Sequence, residues 1–85
     1  MPFFVYILQA DDGAFYIGHT QSLTDRLRRH QQGRSFATKS RNGWQLIHQE
    51  EFITRAEAMR REREIKSKHS RKYIEKLVRS SIEKT

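Results

Sequence analysis

Apolar positions fall in short runs near the N-terminus and in helical stripes further on. Phe3-Phe4-Val5-Tyr6-Ile7-Leu8 is aromatic and β-branched and is bounded by turn residues, so it reads as a buried strand. Asp11-Asp12-Gly13 follows, and Ala14-Phe15-Tyr16-Ile17-Gly18 reads as a second strand, making the pair a β-hairpin. Two turns compete. An Asp12-Gly13 turn would send Tyr6 and Tyr16 to opposite faces. A three-residue loop with Gly13 left-handed sets Tyr6 opposite Gly18 and Tyr16 opposite Leu8. In that register, which we adopt, the tyrosines are diagonal neighbours on one face, about 7–8 Å apart at the backbone. Gly18, without a side chain, leaves open space beside Tyr6.

Ser22-Leu23-Thr24-Asp25 has the form of a capping box, with Asp in place of Glu or Gln, and predicts a helix from Leu23 to Gln32 that Gly33 ends. Leu23 and Leu27 share one face of it, as do Arg26 and His30. Residues 33–43 are basic and small and read as a loop. Trp44 to Phe52 reads as a third strand centred on Leu46 and Ile47. Thr54-Arg55-Ala56-Glu57 is a second capping box, with Ile53 and Ala58 set to form a hydrophobic staple, and its helix runs to Lys66 or Lys68. Ser70 caps a last helix whose Ile74, Leu77, Val78 and Ile82 make a buried stripe. The order ββαβαα predicts an α+β fold, and no repeat or linker divides it.

At 85 residues the chain is read as one domain, 1–85. Such a chain buries only about 60–65% of its extended surface, enough for one small core. With no cysteine, a disulfide framework, a thiolate zinc site and a cysteine nucleophile are excluded. No apolar run approaches a membrane span and no signal-peptide pattern opens the chain, so a cytoplasmic protein is expected. Charge changes the picture most. The formal net charge is +7 and the pI is near 10.3. The excess lies in two blocks: six basic residues against Asp25 over 22–41, and eleven against five glutamates over 54–85. Solvated helix faces are one explanation. A polyanionic partner is the other.

Several side chains carry potential chemistry, each with a plainer reading beside it. Tyr6 and Tyr16 suit a hairpin core or a reactive site. Glu62, at helical spacing from Met59 and Ile65, points with apolar residues; a carboxylate placed there needs a salt-bridge partner or a metal. A lone carboxylate suits Mg²⁺, which fills its shell with water and substrate phosphate. Arg26 and His30 offer a fixed cation beside a proton carrier, or simply a basic solvent face. His19, His30, His48 and His69 lack metal-ligand spacing, which argues against zinc. No Gly-rich phosphate loop links a strand to a helix, which argues against nucleotide hydrolysis.

Val5-Tyr6-Ile7, Tyr16-Ile17-Gly18, Gly18-His19-Thr20 leading into Leu23-x-x-Arg26-Leu27-x-x-His30, and Glu57-Ala58-x-x-x-Glu62 together resemble the GIY-YIG nuclease domain. The chain is most similar to the small single-domain bacterial members, described as predicted endonucleases. Each motif is weak alone; their order and spacing make the resemblance specific, and it covers nearly the whole chain. It implies a three-stranded antiparallel sheet flanked by helices. It also implies a single divalent ion, Mg²⁺ or Mn²⁺, on Glu62, with Tyr6 activating water or acting as base. Tyr16 would position water or the scissile phosphate, Arg26 would stabilise the transition state, and His30 would assist proton transfer or orient Tyr6. His19 falls where the excision-repair relatives carry a lysine.

The sequence departs from the family at two points. The first motif reads Val-Tyr-Ile, which keeps the tyrosine. The asparagine that larger members carry beyond the glutamate is replaced by Lys72-Tyr73-Ile74. Larger members also bear separate DNA-binding domains, and none is read here, so specificity is low or comes from a protein partner. Arg28, Arg29, Arg34, Lys39 and Arg41 are expected to hold the phosphate backbone without reading bases. The resulting expectation is a metal-dependent endonuclease acting on DNA in repair or processing, with RNA left open. One alternative is a non-catalytic nucleic-acid-binding module that stacks bases on Phe36, Trp44 and Tyr73. Another is an adaptor for an acidic protein.

Overall fold

The computed structural model describes residues 2–32 and 41–83, the last three of them by their backbone alone. β1 (Phe3–Gln9) and β2 (Phe15–Thr20) are followed by α1 (Leu23–Gln31), β3 (Gln45–Phe52), α2 (Arg55–Ser67) and α3 (Arg71–Glu83). The strands form one antiparallel sheet in the order β2-β1-β3. This is the α+β architecture, order ββαβαα, expected from the sequence.

β1 lies in the middle, and Val5, Tyr6, Ile7 and Leu8 are all buried. That explains its unbroken apolar run, since a central strand covered on both faces has no polar side. Val5 and Ile7 face α2 and α3, packing with Ala58, Ile65 and Ile74. Tyr6 and Leu8 face the other way, with Trp44, Leu23 and Leu27. α1 therefore covers one face and α2 with α3 the other.

The hairpin adopts the three-residue register: Tyr6 pairs with Gly18 and Leu8 with Tyr16, and Gly13 is left-handed at φ 88°. The space beside Gly18 is not open, however, because the Tyr6 ring fills it. A bulge interrupts the β1–β3 pairing, with Ile7 opposite His48 but Leu8 opposite Leu46. Without that extra residue, Leu46 would share a face with His48, Glu50 and Phe52. The bulge instead turns Leu46 and Trp44 toward α1.

The helix caps follow the sequence with two differences. Thr54 and Glu57 make the full reciprocal box. Ser22 accepts from the Asp25 amide at 3.4 Å, but its own N–H donates to Thr20 Oγ1 at 3.1 Å, so only half a box forms at α1. The Asp25 side chain lines the pocket described below. The expected staple is absent: Ile53 is 86% exposed while Ala58 is buried in the core. Ser70 Oγ accepts from the Tyr73 amide at 3.2 Å, as its place before α3 predicts. Gly33, expected to end α1, and the side chain of Ile82 lie outside the described residues.

Candidate active site at the edge of the sheet

β2 is an edge strand, and its two faces lead to different helices. Tyr16 and Gly18 look toward α1, while Ile17 and His19 look toward α2. A pocket of about 440 Å³ wraps around this edge. Tyr6, Tyr16, Arg26, Arg29, Arg55 and Glu62 line it, together with His19, Gly18, Asp25 and the Thr20–Ser22 turn.

On the α1 side the aromatic rings form a cluster. Tyr6 and Tyr16 centroids are 6.1 Å apart, and His30 lies 5.9 Å from Tyr6 and 4.7 Å from Tyr16. His30 Nε2 is 3.1 Å from the Tyr6 hydroxyl oxygen. Tyr6 and His30 are each 2% exposed. Burial, reinforced by the neighbouring Tyr16, drives the Tyr6 pKa well above its ordinary value, and Arg26 only partly offsets this. Burial first, and Arg26 second, lower the His30 pKa. His30 is thus neutral at pH 7. With its proton on Nδ1, Nε2 accepts from the Tyr6 hydroxyl. Arg26 and His30, expected on one face, differ in exposure: Arg26 reaches into the pocket, while His30 completes the buried stripe with Leu23 and Leu27.

On the α2 side Glu62, 18% exposed, holds the margin of the core. His19 Nδ1 lies 2.6 Å from its Oε1, and Lys66 Nζ donates to its Oε2 at 2.7 Å. Burial opposes its ionisation, but the hydrogen bonds from Lys66 and His19 outweigh burial and hold the carboxyl below the usual range. Its salt-bridge partners are thus a lysine and a histidine. Among the described residues no group of three or more His, Cys, Asp or Glu is placed to cage an ion. One ionised carboxylate on a polar pocket wall fits Mg²⁺ or Mn²⁺ arriving with water and phosphate oxygens, and does not fit zinc.

The remaining expected contacts divide. Arg29 lines the pocket. Arg28 is exposed on α1 but turned away from it. Arg41 is not brought to the pocket: its Nε donates to Asp12 Oδ2 at 3.0 Å beside the hairpin loop. Arg34 and Lys39 lie outside the described residues, as does Phe36. Trp44, read as a stacking platform, is buried. Tyr73 is half-buried and accepts from Arg61 Nη1 at 3.1 Å, so the stretch replacing the family asparagine serves α2–α3 packing. Arg55 was not singled out by sequence reasoning. It stands seven residues before Glu62, two helical turns on the same face, and that spacing was the available signal. Its guanidinium sits 5.0 Å over the Phe3 ring.

An antiparallel hairpin presenting two tyrosines to an arginine helix and a glutamate helix is a nuclease-type arrangement. The GIY-YIG catalytic domain matches residues 2–74, and the chain belongs to that family. It is similar to UPF0213 proteins of Staphylococcus epidermidis and Staphylococcus saprophyticus. Each is 38% identical over 65 residues, covering 75% of this chain and 79% of the relative. The solution NMR structure of a UPF0213 protein from Bacillus halodurans matches with 38% identity and a TM-score of 0.56, over 92% of this chain and 83% of that one. Among the described residues no helix is long and apolar enough to cross a membrane.

Proposed function

We propose that this chain is a divalent-metal-dependent endonuclease that hydrolyses DNA phosphodiesters with little sequence specificity, in repair or processing, and that residues 1–85 act as one such domain. One observation carries the reading. Tyr6 from β1, Tyr16 from β2, Arg26 from α1 and Glu62 from α2 line a single pocket.

Glu62 would hold the cation, which when bound supplies Lewis-acid stabilisation of the phosphate charge. Arg26 faces the scissile phosphate, and Arg29 and Arg55 meet its flanks. The attacking water gives a proton to the Tyr6 oxygen as Tyr6 passes its own proton to His30 Nε2. This relay needs no standing tyrosinate, which burial makes costly. Hydroxide oxygen bonds to phosphorus, the bond to the leaving oxygen breaks, and that oxygen takes a proton from solvent. Tyr16, packed on His30, keeps Tyr6 and the water aligned.

The test is nicking of supercoiled plasmid with Mg²⁺ or Mn²⁺. Tyr6→Phe should lose about 10²–10⁴-fold, the usual worth of positioned proton transfer. Glu62→Gln should lose cleavage altogether while melting only somewhat lower than the wild type, since it gives up the charged contacts with His19 and Lys66. The rate should fall on the acid side only below pH 6.5, the ordinary histidine value, because His30 must stay neutral and its pKa is depressed. Undiminished cleavage by Glu62→Gln would remove the metal-ligand assignment.

A further inference from the structure

The His19–Glu62 pair is not the end wall of the site. Beyond it lies a second hollow of about 300 Å³, lined by His19, Met59, Glu62, Arg63 and Lys66. The two hollows share His19 and Glu62, so the pair is a ridge between them. A third hollow, of about 420 Å³, shares Lys66 and adds Ile17, Ile65, Ile74 and Arg71. The three follow one another between the β2 edge and α2, from Arg55 at the first turn of that helix to Lys66 in its last.

The chemistry of the second hollow differs from that of the first. Met59 is 40% exposed, one of two large exposed hydrophobic residues among those described. Arg63 is exposed and forms no ion pair with another described residue, unlike Arg61, which is tied to Glu50. A cation beside an uncovered thioether, next to the pocket proposed to take the scissile phosphate, suits a nucleotide with its base unstacked. A duplex shields its base faces, so Met59 could meet one only as a wedge that kinks the helix, at the cost of unstacking a step. A single strand offers both a phosphate and an open base face.

We propose, resting on the nuclease reading above, that the substrate strand leaves the main pocket over the His19–Glu62 ridge as an unpaired segment. Its next phosphate lies on Arg63 and a base lies against Met59. The groove then continues past Lys66, which is paired with Glu62, and Arg71, whose Nη1 donates to Gly13 O at 3.0 Å. The favoured substrate is accordingly DNA with a single-stranded stretch beside the scissile bond.

Binding is measured by fluorescence anisotropy without metal, so that nothing is cut, using a labelled oligothymidylate and a duplex of equal length. Arg63→Ala should weaken the single strand about tenfold and reduce the slope of log affinity against log salt by about 0.7, one single-strand phosphate. Met59→Ala should weaken the single strand about threefold and leave the duplex unmoved. Lys76→Ala, an exposed cation on α3 outside the groove, should cost less than twofold. All three variants change solvent-facing side chains and should melt with the wild type. Equal losses for Arg63→Ala and Lys76→Ala, or a Met59→Ala effect shared by the duplex, would overturn the track. Plasmid nicking by the wild type, run in parallel, separates the two ideas. Nicking with unaltered single-strand binding in the variants sinks the track alone, and a wild type that neither nicks nor binds sinks both.

Discussion

A Cβ added at Gly18 would lie 2.7 Å from the Tyr6 hydroxyl oxygen, 2.9 Å from Tyr6 Cζ and 3.1 Å from Tyr16 Cε1. The glycine is there for closeness, not for backbone freedom. It lets the Tyr6 ring lie across the edge strand, so that the hydroxyl reaches both His30 and the pocket. Tyr6 is buried and has little room to yield, so Gly18→Ala should cost about 1–3 kcal/mol as overpacking. The ring should also lose its alignment with His30. We expect a lower melting temperature and a nicking rate reduced well beyond the loss of folded protein. A Gly18→Ala variant with wild-type melting and wild-type nicking would show that the close approach has no functional weight. Diagonal placement of the tyrosines was legible from the turn, because loop length sets register. That the Tyr6 ring leans over Gly18 was not, since a missing side chain looks the same in sequence whether the gap is filled or empty.

At the scale of elements, the placement of Glu62 depends on a clasp on the far side of α2. Glu50 on β3 receives His48 Nε2 at 2.7 Å and Arg61 Nε at 2.8 Å, and Arg61 also reaches Glu64 and Tyr73. Arg61 and Glu62 are adjacent, so fixing the first sets the rotation of α2 that turns the second toward the β2 edge. The His48 hydrogen bond foremost, with Arg61 adding to it against the cost of burial, lowers the Glu50 pKa to about 2. A depressed carboxylate contributes stability above its unfolded pKa, near 4.5, and loses it as pH falls toward 2. Glu50→Gln should therefore melt lower at pH 7, by about 1–2 kcal/mol once solvent screening is allowed for. The gap from wild type should close between pH 4.5 and 2. A gap that is constant over that range would mean the charge plays no part. None of this clasp was legible in the sequence. A bulge at Ile47 decides which residues of β3 face α2, and nothing in Leu46-Ile47-His48 announces a bulge. The helices themselves were plain, since caps and apolar spacing are local.

For the whole molecule, the distribution of positive charge matters more than its total of +7. Two basic blocks far apart in sequence meet across the β2 edge: α1 brings Arg26 and Arg29, α2 brings Arg55 and Arg63. None of the four forms an ion pair with another described residue, whereas Arg41 and Arg61 are committed to Asp12, Glu50 and Glu64. Charge blocks show in a sequence; which members are neutralised by their neighbours does not, because that depends on contacts between distant segments. Arg41 illustrates this, being basic and near the site by position yet held at the hairpin loop. The four arginines gathered at the β2 edge set a thermodynamic scale. Four phosphates neutralised on a single strand give a slope of log affinity against log salt of about −2.8. Affinity should then fall about 50-fold between 50 and 200 mM salt. A titration of oligothymidylate binding across that range measures the slope directly. A slope near −5 or steeper would bring further cations, such as those of α3, into the contact surface. A slope near zero would mean that the arginines gathered at the β2 edge do not meet phosphate, and the same pocket would then need a neutral ligand to explain it.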